Sequence, residues 1–403
     1  MADIKNYLKE KEKREKRLQN RVDYKKKIWK HKLSTLYRIL LVIVVLVALV
    51  ALFRIQYKRR VYTDYDIVAS IETASSSEAT NIRLGEAVLT YSKDGAHCTD
   101  IRGNVKWNQT FEIQNAKVSV SGNTVAIGDY NGRSIYIANT ESILQEITTN
   151  MPIRDLAVSE SGYVTAVLED TDVMWIHTYD NQGNLDKYSQ ATMNNSGYPM
   201  AVSLSPNGEL LCVAFVYVDS GTLKTNLAFY NLGAVGDNVS DSLTNLNIYT
   251  DMLVPVVRFV NNSTAFAVGD GRLMIYSGAH KPVTQAEHLY EMEVRSVFYN
   301  DRYVGLVFTG DNGENQYRLD VFDTANPTSK PKSFYFDMDY TDIFFGSDNF
   351  VIYNATECQI ITIDGIEKFH GTFSKAVNLM LPIGNGYKYL LVTEDTMDTI
   401  QLK

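Results

Sequence analysis

The clearest pattern along the chain is one long apolar run near its N-terminus. Residues 39–53 (ILLVIVVLVALVALF) contain no charged or polar side chain, and Arg38 and Arg54 bracket them. A helix of this composition is apolar on every face, which favours a membrane span over a buried helix of a soluble domain. The long basic region before the run, and the lack of an A-x-A site after it, disfavour a cleaved signal peptide.

The residues that flank the apolar run complete the predicted span. Fifteen helical residues rise about 22 Å, whereas the hydrocarbon core of a bilayer is about 30 Å thick. We therefore predict a transmembrane α-helix over residues 36–57. The stems of Arg38 and Arg54 would lie along the hydrocarbon with their guanidinium groups among the headgroups. Tyr37 and Tyr57 would lie at the membrane–water interface.

Basic residues are distributed unevenly about this span. Residues 1–38 hold 14 Lys or Arg, whereas residues 54–60 hold four. Because the more basic flank stays in the cytoplasm, we predict that residues 1–35 form a basic cytoplasmic tail. The protein is then a single-pass protein of the cell membrane, and its long C-terminal part is extracytoplasmic.

Net charge divides the chain in the same way. The 403 residues carry a net charge of −8, but residues 1–60 carry +13 and the remainder −21. The basic part suits the anionic lipids of the inner leaflet, where each Lys or Arg near the surface adds about 1 kcal/mol of binding. The acidic part disfavours nucleic acid as a partner, because DNA and RNA phosphates would be repelled.

After Arg60 the pattern changes from helical to alternating. Short runs rich in β-branched and aromatic residues recur about every 8–12 residues, and turns that contain glycine separate them. Such turn pairs supply the positive φ angle that tight hairpins need. The pairs are Asp94-Gly95, Gly103-Asn104, Gly122-Asn123, Asn131-Gly132, Ser161-Gly162, Gln182-Gly183, Asn207-Gly208, Asp270-Gly271, Asn312-Gly313 and Asp364-Gly365.

These runs group into a longer repeat of about 35–55 residues. The segments AKVSVSGNTVAIGDYNGRSIYIANT and VPVVRFVNNSTAFAVGDGRLMIYSG each contain an apolar strand, a strongly apolar strand and an aromatic strand, separated by turns. A more polar fourth strand follows each of them. Four-stranded antiparallel units of this period are propeller blades. We predict an all-β, eight-bladed β-propeller over residues 61–403, with seven blades as the alternative.

The last repeat lacks its outer strand. It begins near residue 376 with AVNLMLPI, YKYLLVTE and TIQLK. Residues 65–72 (YDIVASIE) form a strand-like run that belongs to no other repeat. We predict that this strand pairs with the C-terminal blade, since closure of the ring removes an unpaired edge.

Two segments resemble known propeller motifs. YSKDGAHCTDIRGNVKW, at residues 91–107, is similar to the blade signature of quinoprotein-like propellers, in which a tryptophan docks between blades. SLSPNGELLCVAF, at residues 203–215, resembles a turn of WD40-like propellers. With the predicted span, the chain resembles an uncharacterised family of Gram-positive single-pass membrane proteins with an extracytoplasmic propeller. The resemblance implies no chemistry, and because Trp107 is not repeated among blades we expect no quinone cofactor.

Candidate chemistry is sparse in the sequence. There is no glycine-rich phosphate loop, no G-x-S-x-G elbow, no H-E-x-x-H and no C-x-x-C motif. We therefore expect no catalytic residues, no bound metal and no cofactor. One acidic stretch, with Asp337, Asp339 and Asp342, leaves open the alternatives of a cation site and a solvated loop. Cys98, Cys212 and Cys358 are far apart, and we expect buried free thiols.

The chain is rich in tyrosine, with 26 residues, most of which fall at predicted strand ends. Packing between blades is the simpler interpretation, and an aromatic ligand- or polymer-binding surface is the alternative. Examples are Tyr136, Tyr179, Tyr230, Tyr276 and Tyr353.

Three functions are consistent with the sequence. The first is a membrane-tethered, non-catalytic platform that binds an envelope protein or polymer. The second is a sensor that couples external binding to the basic tail, and the third is an enzyme with a site at the mouth of the propeller channel.

Overall fold

A computed structural model describes residues 2–73, 79–192, 196–384 and 387–403. Within the N-terminal helix, it does not describe the side chains of residues 2, 19–25, 51, 53–55 and 57–59. The chain forms two units, Met1–Val61 and Tyr62–Lys403.

The first unit is one helix, α1 (Ala2–Arg59), of 58 residues. The segment contains neither glycine nor proline, and Glu10 and Glu12 each precede a basic residue by four positions, which supports a helix. The helix runs without a break through the predicted tail and the predicted span, so the predicted boundary at residue 36 is not the start of an element. By length and composition Lys26–Val50 is suited to cross a membrane, and none of its most apolar window is buried.

The second unit consists of strands. The first 16 are β1 (Tyr65–Glu72), β2 (Thr80–Leu84), β3 (Ala87–Tyr91), β4 (Gly95–Thr99), β5 (Val105–Thr110), β6 (Ala116–Ser121), β7 (Thr124–Asp129), β8 (Ser134–Asn139), β9 (Ile143–Thr148), β10 (Ile153–Val158), β11 (Val164–Asp170), β12 (Val173–Tyr179), β13 (Leu185–Ala191), β14 (Tyr198–Leu204), β15 (Leu210–Asp219) and β16 (Thr222–Asn231). The others are β17 (Leu243–Thr250), β18 (Val256–Phe259), β19 (Thr264–Gly269), β20 (Arg272–Ser277), β21 (Val283–Leu289), β22 (Ser296–Tyr299), β23 (Tyr303–Thr309), β24 (Tyr317–Asp323), β25 (Lys332–Phe336), β26 (Asp342–Phe345), β27 (Asn349–Tyr353), β28 (Glu357–Thr362), β29 (Glu367–Thr372), β30 (Leu379–Pro382), β31 (Lys388–Val392) and β32 (Thr396–Leu402).

These strands form eight antiparallel sheets of four strands each within the described residues. Blades 1 to 7 use consecutive strands, from β2–β5 in blade 1 to β26–β29 in blade 7. Blade 8 has the order β30-β31-β32-β1. First strands of neighbouring blades contact one another from β6 to β18 and between β22 and β26, and β30 contacts β2, which brings the last blade against the first. The predicted eight-bladed propeller is confirmed, and the seven-bladed alternative is wrong.

The core lies between the blades. Eight clusters of buried apolar side chains are found, one at each interface between neighbouring blades. The second strand of each blade is apolar on both faces because a neighbouring blade covers each face; all six residues of β19 (TAFAVG) are buried. A fully buried Phe or Leu contributes about 1.5–3 kcal/mol, so these interfaces stabilise the ring.

Polar side chains also join the blades, at larger radius. At six consecutive interfaces, a side chain on the fourth strand of one blade reaches the next blade. It forms a hydrogen bond or an ion pair there with the end of the third strand or with the turn that follows that strand. The contacts are Trp107 Nε1 to Asn139 O (2.7 Å), Gln145 Nε2 to Asp180 O (3.4 Å), Lys187 to Asp237, Asn245 Nδ2 to Pro282 O (2.7 Å), His288 Nε2 to Pro327 O (2.7 Å) and Lys332 Nζ to Ile363 O (3.1 Å). The docking of Trp107 is therefore one example of a general contact that other residue types also make.

The N-terminal strand closes the ring. β1 pairs antiparallel with β32, from Tyr65 opposite Leu402 to Glu72 opposite Thr396. The buried carboxylate of Asp398 accepts a hydrogen bond from Ser70 Oγ at 2.5 Å and one from Thr396 Oγ1 at 3.1 Å. This is the pairing that the sequence predicts for residues 65–72.

Candidate binding groove

Blade 4 differs from the other blades. β15 and β16 have ten residues each, whereas the second and third strands of the other blades have five to seven. The connection from β16 to β17 contains two short 3₁₀ turns, Gly236–Asn238 and Ser240–Ser242. Blade 4 therefore carries more structure at its outer edge than a propeller blade requires.

Asn231, the last residue of β16, holds this connection in place. Its side chain is buried, and its Oδ1 accepts hydrogen bonds from the backbone N–H groups of Gly233 (3.0 Å) and Gly236 (3.2 Å). Its Nδ2 donates to the carbonyl of His280 in blade 5 at 3.2 Å. A Cβ atom at Gly236 would lie 1.6 Å from the Asn231 carbonyl oxygen, so only glycine fits there.

The connection forms one wall of a groove between blades 3 and 4. The groove has a volume of about 680 Å³ and opens to solvent at the outer edge of the two blades. Two of its lining residues, Ile176 and Leu211, belong to the apolar core between these blades. The other lining residues are Thr178, Asp186, Lys187, Tyr188, Ser189, Gln190, Ser196, Tyr230, Leu232, Asp241, Ser242 and Leu243. We call this the blade 3–4 groove.

The charge of the blade 3–4 groove is negative. Lys187 on β13 forms an ion pair with Asp237 of the 3₁₀ turn, which links the two walls. Among the described residues, Asp186 and Asp241 form no ion pair. Burial, and secondarily the nearby charges of Cys212 and Asp241, raise the pKa of the Tyr230 phenol to about 12, so this group is a neutral hydroxyl at physiological pH.

An aromatic cluster lies on the other face of blade 3, which is turned toward blade 2. The Tyr188 side chain is 67% exposed, and its ring lies 6.0 Å from Trp175 and 6.1 Å from His177. His177 is buried and Nδ1 lies 3.3 Å from the Tyr179 hydroxyl. Burial lowers the pKa of His177 below its ordinary value, which keeps the imidazole neutral. Tyr188 is thus an exposed aromatic ring on a rigid base.

Two consecutive residues of the groove wall have left-handed backbone. Asp241 has a φ of 55° and Ser242 a φ of 57°, and neither is glycine. Such conformations cost about 1 kcal/mol or more each and persist where the surrounding structure imposes them. The wall is therefore held in a defined shape.

The predicted interface residues belong to α1. Tyr37 and Arg38 are exposed on this helix. The side chains of Arg54 and Tyr57 lie outside the described ones. Contact of these four residues with a membrane stays a prediction.

The acidic stretch of residues 337–342 has separate structural roles. Asp337 accepts hydrogen bonds from Asn315 Nδ2 (2.7 Å) and the backbone N–H of Gln316 (2.9 Å), which tie a turn of blade 6. Asp339 accepts one from the Tyr317 hydroxyl at 2.8 Å. Burial raises the pKa of Asp342 on β26. In the described part of the chain, no three His, Cys, Asp or Glu side chains are grouped as a metal site would require.

The tyrosines named from the sequence fall into two groups. Tyr179, Tyr276 and Tyr353 are buried between blades, and Tyr136 packs partly buried against the core between blades 1 and 2, as the packing interpretation predicts. Tyr230 lines the blade 3–4 groove. Sequence reasoning missed the groove itself, because its shape depends on the side-chain contacts of Asn231. The pair of Gly233 and Gly236 after a strand was the available signal.

One family model matches residues 58–402 and carries the description "Family of unknown function (DUF5711)". The chain belongs to this family. The DUF5711 match covers all eight blades. No curated protein sequence matches the chain.

Solved structures similar to this DUF5711 protein share little sequence with it. BamB from Moraxella catarrhalis is 11% identical, with 84% of this chain and 100% of that chain covered and a TM-score of 0.48. The Cps50 (Swd1) β-propeller domain of Myceliophteria thermophila is 8% identical, with 84% and 100% covered and a TM-score of 0.45. The Pan2 WD40 domain of Neurospora crassa is 10% identical, with 84% and 95% covered and a TM-score of 0.45. The blade count rests on the strand pairing of this chain alone.

Proposed function

We propose that the protein is a membrane-anchored binding platform, with its β-propeller outside the cytoplasm and without catalytic activity. The observation that carries this proposal is the apolar part of α1. The large apolar side chains described between residues 39 and 52 are all about half exposed or more, from 48% at Val45 to 64% at Leu41. A helix that is apolar on every face requires hydrocarbon around it, so we propose a retained anchor and not a signal sequence.

The orientation follows from the basic residues that precede this anchor. Fourteen Lys or Arg lie within residues 1–38, and this excess favours a cytoplasmic N-terminus. Anionic lipids of the inner leaflet are the partner that suits this basic segment. The acidic propeller would then face the cell envelope, where a protein or a polymer is its partner.

The blade 3–4 groove supports binding as the role of the propeller. Its lining includes the Tyr230 phenol, serine hydroxyls and two carboxylates, together with the partly buried side chains of Leu232 and Leu243. Such a mixture gives binding energy through the aromatic and apolar parts and orientation through the polar ones. We therefore propose the blade 3–4 groove as the principal contact surface of the platform.

Site-specific photo-crosslinking in growing cells tests this proposal. A photoreactive amino acid replaces Ser189 in the full-length chain, a lining residue that pairs with Ile176 and so shares its groove-side face. A matched control places it at Leu289, which is 76% exposed on β21 of blade 5. We expect a defined adduct with an envelope component from position 189 and none from position 289. Equal labelling from both positions, or no adduct from either, would contradict the platform proposal.

One observation favours a sensor as the second candidate function. α1 is continuous from Ala2 to Arg59, so the basic segment and the apolar segment belong to one helix. A sensor would lose its response when residues 2–34 are deleted, whereas a platform would keep its binding. Measuring the crosslink from position 189 in that deletion variant, together with the cellular phenotype, separates these functions.

A further inference from the structure

Three aromatic side chains share the face of blade 3 that is turned toward blade 2. Trp175 and His177 on β12 pair with Leu168 and Ala166, which belong to the apolar core between blades 2 and 3. Tyr188 on β13 pairs with His177. Because paired residues of an antiparallel sheet lie on the same face, all three rings project toward blade 2. We call Trp175, His177 and Tyr188 the blade 3 triad.

The rings of the blade 3 triad are in contact but are not stacked. The centroids of the Tyr188 and Trp175 rings are 6.0 Å apart, and the two ring planes are inclined by 47°. The His177 ring lies 5.8 Å from Trp175 and 6.1 Å from Tyr188. His177 is 6% exposed, Trp175 is partly exposed and Tyr188 is 67% exposed. Tyr188 and Trp175 therefore present accessible, mutually inclined ring faces, and His177 supports them from the buried side.

No cation of the described residues lies over these two ring faces. Elsewhere in the described part of the chain, a Lys or Arg side chain lies over the ring of Tyr130, Tyr303, Phe308, Tyr317 or Tyr387. The lysine next to Tyr188, Lys187, belongs to the opposite face of β13 and forms an ion pair with Asp237 of blade 4. Since the face of an aromatic ring is its negative side, the triad offers a surface that suits a cation from outside the chain.

The charges around the blade 3 triad also favour a cation. Residues 61–403 carry a net charge of −21. Asp170 lies two residues beyond Leu168 on the same face of blade 3, is exposed, and forms no ion pair among the described residues. Burial lowers the pKa of His177, so its imidazole is neutral and does not repel a cation.

The chemistry of the rings selects the kind of cation. A primary ammonium group is strongly hydrated, and it would lose hydrogen bonds to water without gaining strong acceptors from the ring faces. A quaternary ammonium group has no N–H group to satisfy. Because the Tyr188 and Trp175 centroids are 6.0 Å apart, one such group can lie within about 6 Å of both of them.

We propose that the blade 3 triad binds a small organic cation that carries a quaternary ammonium group. The methyl groups of this cation contact the rings of Tyr188 and Trp175, and His177 holds the two rings in their inclined arrangement. Asp170 adds attraction and disfavours a ligand that also carries a phosphate. The triad lies on the opposite face of blade 3 from Ser189, so this inference extends the proposed function and does not depend on it.

Titration with choline tests the inference on the full-length protein, in a maltoside detergent that contains no ammonium group. Ligand-detected NMR measures the Kd of three probes: choline, phosphocholine, and the neutral isostere in which a tert-butyl group replaces the trimethylammonium group of choline. The variants are Tyr188→Leu, Trp175→Leu and Tyr188→Phe. The matched control is Tyr335→Leu, because Tyr335 is 40% exposed on the fourth strand of blade 6 and makes no ring contact among the described residues.

We expect choline to bind in the millimolar range and the neutral isostere to bind at least about fivefold more weakly, because only a positive charge is attracted by the ring faces. Tyr188→Leu and Trp175→Leu should each weaken choline binding about fivefold to tenfold, since leucine keeps the apolar volume but has no aromatic face. Tyr188→Phe keeps the ring and should retain binding, as should Tyr335→Leu. Phosphocholine should bind more weakly than choline because its phosphate meets an acidic surface.

Four results would overturn the inference. They are the absence of detectable choline binding, equal binding of choline and its neutral isostere, choline binding that Tyr188→Leu leaves unchanged, and tighter binding of phosphocholine than of choline. Tyr188→Leu carries the test if Trp175→Leu does not fold, because Tyr188 is mostly exposed. The photo-crosslink from position 189 reports on the opposite face of blade 3, so failure of choline binding and failure of the platform proposal are distinguishable.

Discussion

The strand that closes the ring can be loosened by removing one hydroxyl group. Ser70 on β1 donates a hydrogen bond of 2.5 Å to the carboxylate of Asp398 on β32. Asp398 is only 6% exposed, so water cannot replace the lost donor at little cost. The substitution Ser70→Ala therefore tests how strongly side chains fasten the N-terminal strand to the last blade.

The expected loss follows from the geometry. A hydrogen bond to a charged group contributes about 1.5–3 kcal/mol, and Asp398 keeps its second donor, Thr396 Oγ1. We expect Ser70→Ala to lower the free energy of unfolding by about 2 kcal/mol. Asp398→Ala removes the acceptor of both hydroxyls and should cost about 3 kcal/mol. The double variant should cost little more than Asp398→Ala alone, since the two substitutions remove the same contact.

Urea unfolding of the full-length protein in detergent measures these losses. Tryptophan fluorescence, to which the buried Trp107 contributes, reports on the propeller. The matched control is Ser240→Ala, because Ser240 Oγ also bonds a carboxylate, that of Asp241 at 3.4 Å, but in an exposed position. It should cost less than about 0.5 kcal/mol. A loss for Ser70→Ala no larger than that of the control, or additive losses in the double variant, would refute the reasoning.

Three further substitutions have defined outcomes. Trp107→Phe removes the 2.7 Å hydrogen bond to the Asn139 carbonyl and should lower the urea-derived stability by about 1–2 kcal/mol, read by circular dichroism. Gly236→Ala places a Cβ atom 1.6 Å from a carbonyl oxygen and should displace the groove wall, which an altered pattern of limited proteolysis after residue 232 would show. Burial lowers the pKa of His177 in the folded state, so on acidification the unfolded chain binds a proton at this residue at a higher pH than the folded chain does. The free energy of unfolding should therefore fall as the pH drops through about 6.5. His177→Gln should make that decrease smaller in unfolding measurements between about pH 5 and 7.

The propeller was predictable because its signals are local and repeated. Turn pairs such as Asn131-Gly132 and Asp364-Gly365 fall between strands, and mostly apolar runs such as TAFAVG are buried at every position because both faces are covered. The pairing of residues 65–72 with the last blade was predictable from the number of strands. This strand belonged to no repeat, and the last repeat had only three strands.

The contacts between blades were not predictable in the same way. Tryptophan, glutamine, lysine, asparagine and histidine all perform the same bonding role at different interfaces, so no sequence repeat marks it. The groove wall depends on the buried amide of Asn231. Its oxygen accepts hydrogen bonds from the backbone N–H groups of Gly233 and Gly236, which holds the connection between β16 and β17 in place. In the acidic stretch, composition does not reveal that Asp337 and Asp339 accept hydrogen bonds from separate donors.

Cysteine labelling in intact cells tests the central claim, an anchored propeller outside the cytoplasm, most directly. The native thiols give little background: all three are buried, and burial raises the pKa of Cys98 to about 11 and that of Cys358 to about 12. A thiol is introduced at an exposed propeller position by Gln285→Cys, or in the helix by Ser34→Cys.

The account predicts that a membrane-impermeant maleimide labels the Gln285→Cys protein in intact cells. It predicts labelling of the Ser34→Cys protein only after the membrane is permeabilised, with both proteins in the membrane fraction after alkaline washing. Labelling of position 34 in intact cells while position 285 stays protected, or release of the protein from the membrane, would contradict it.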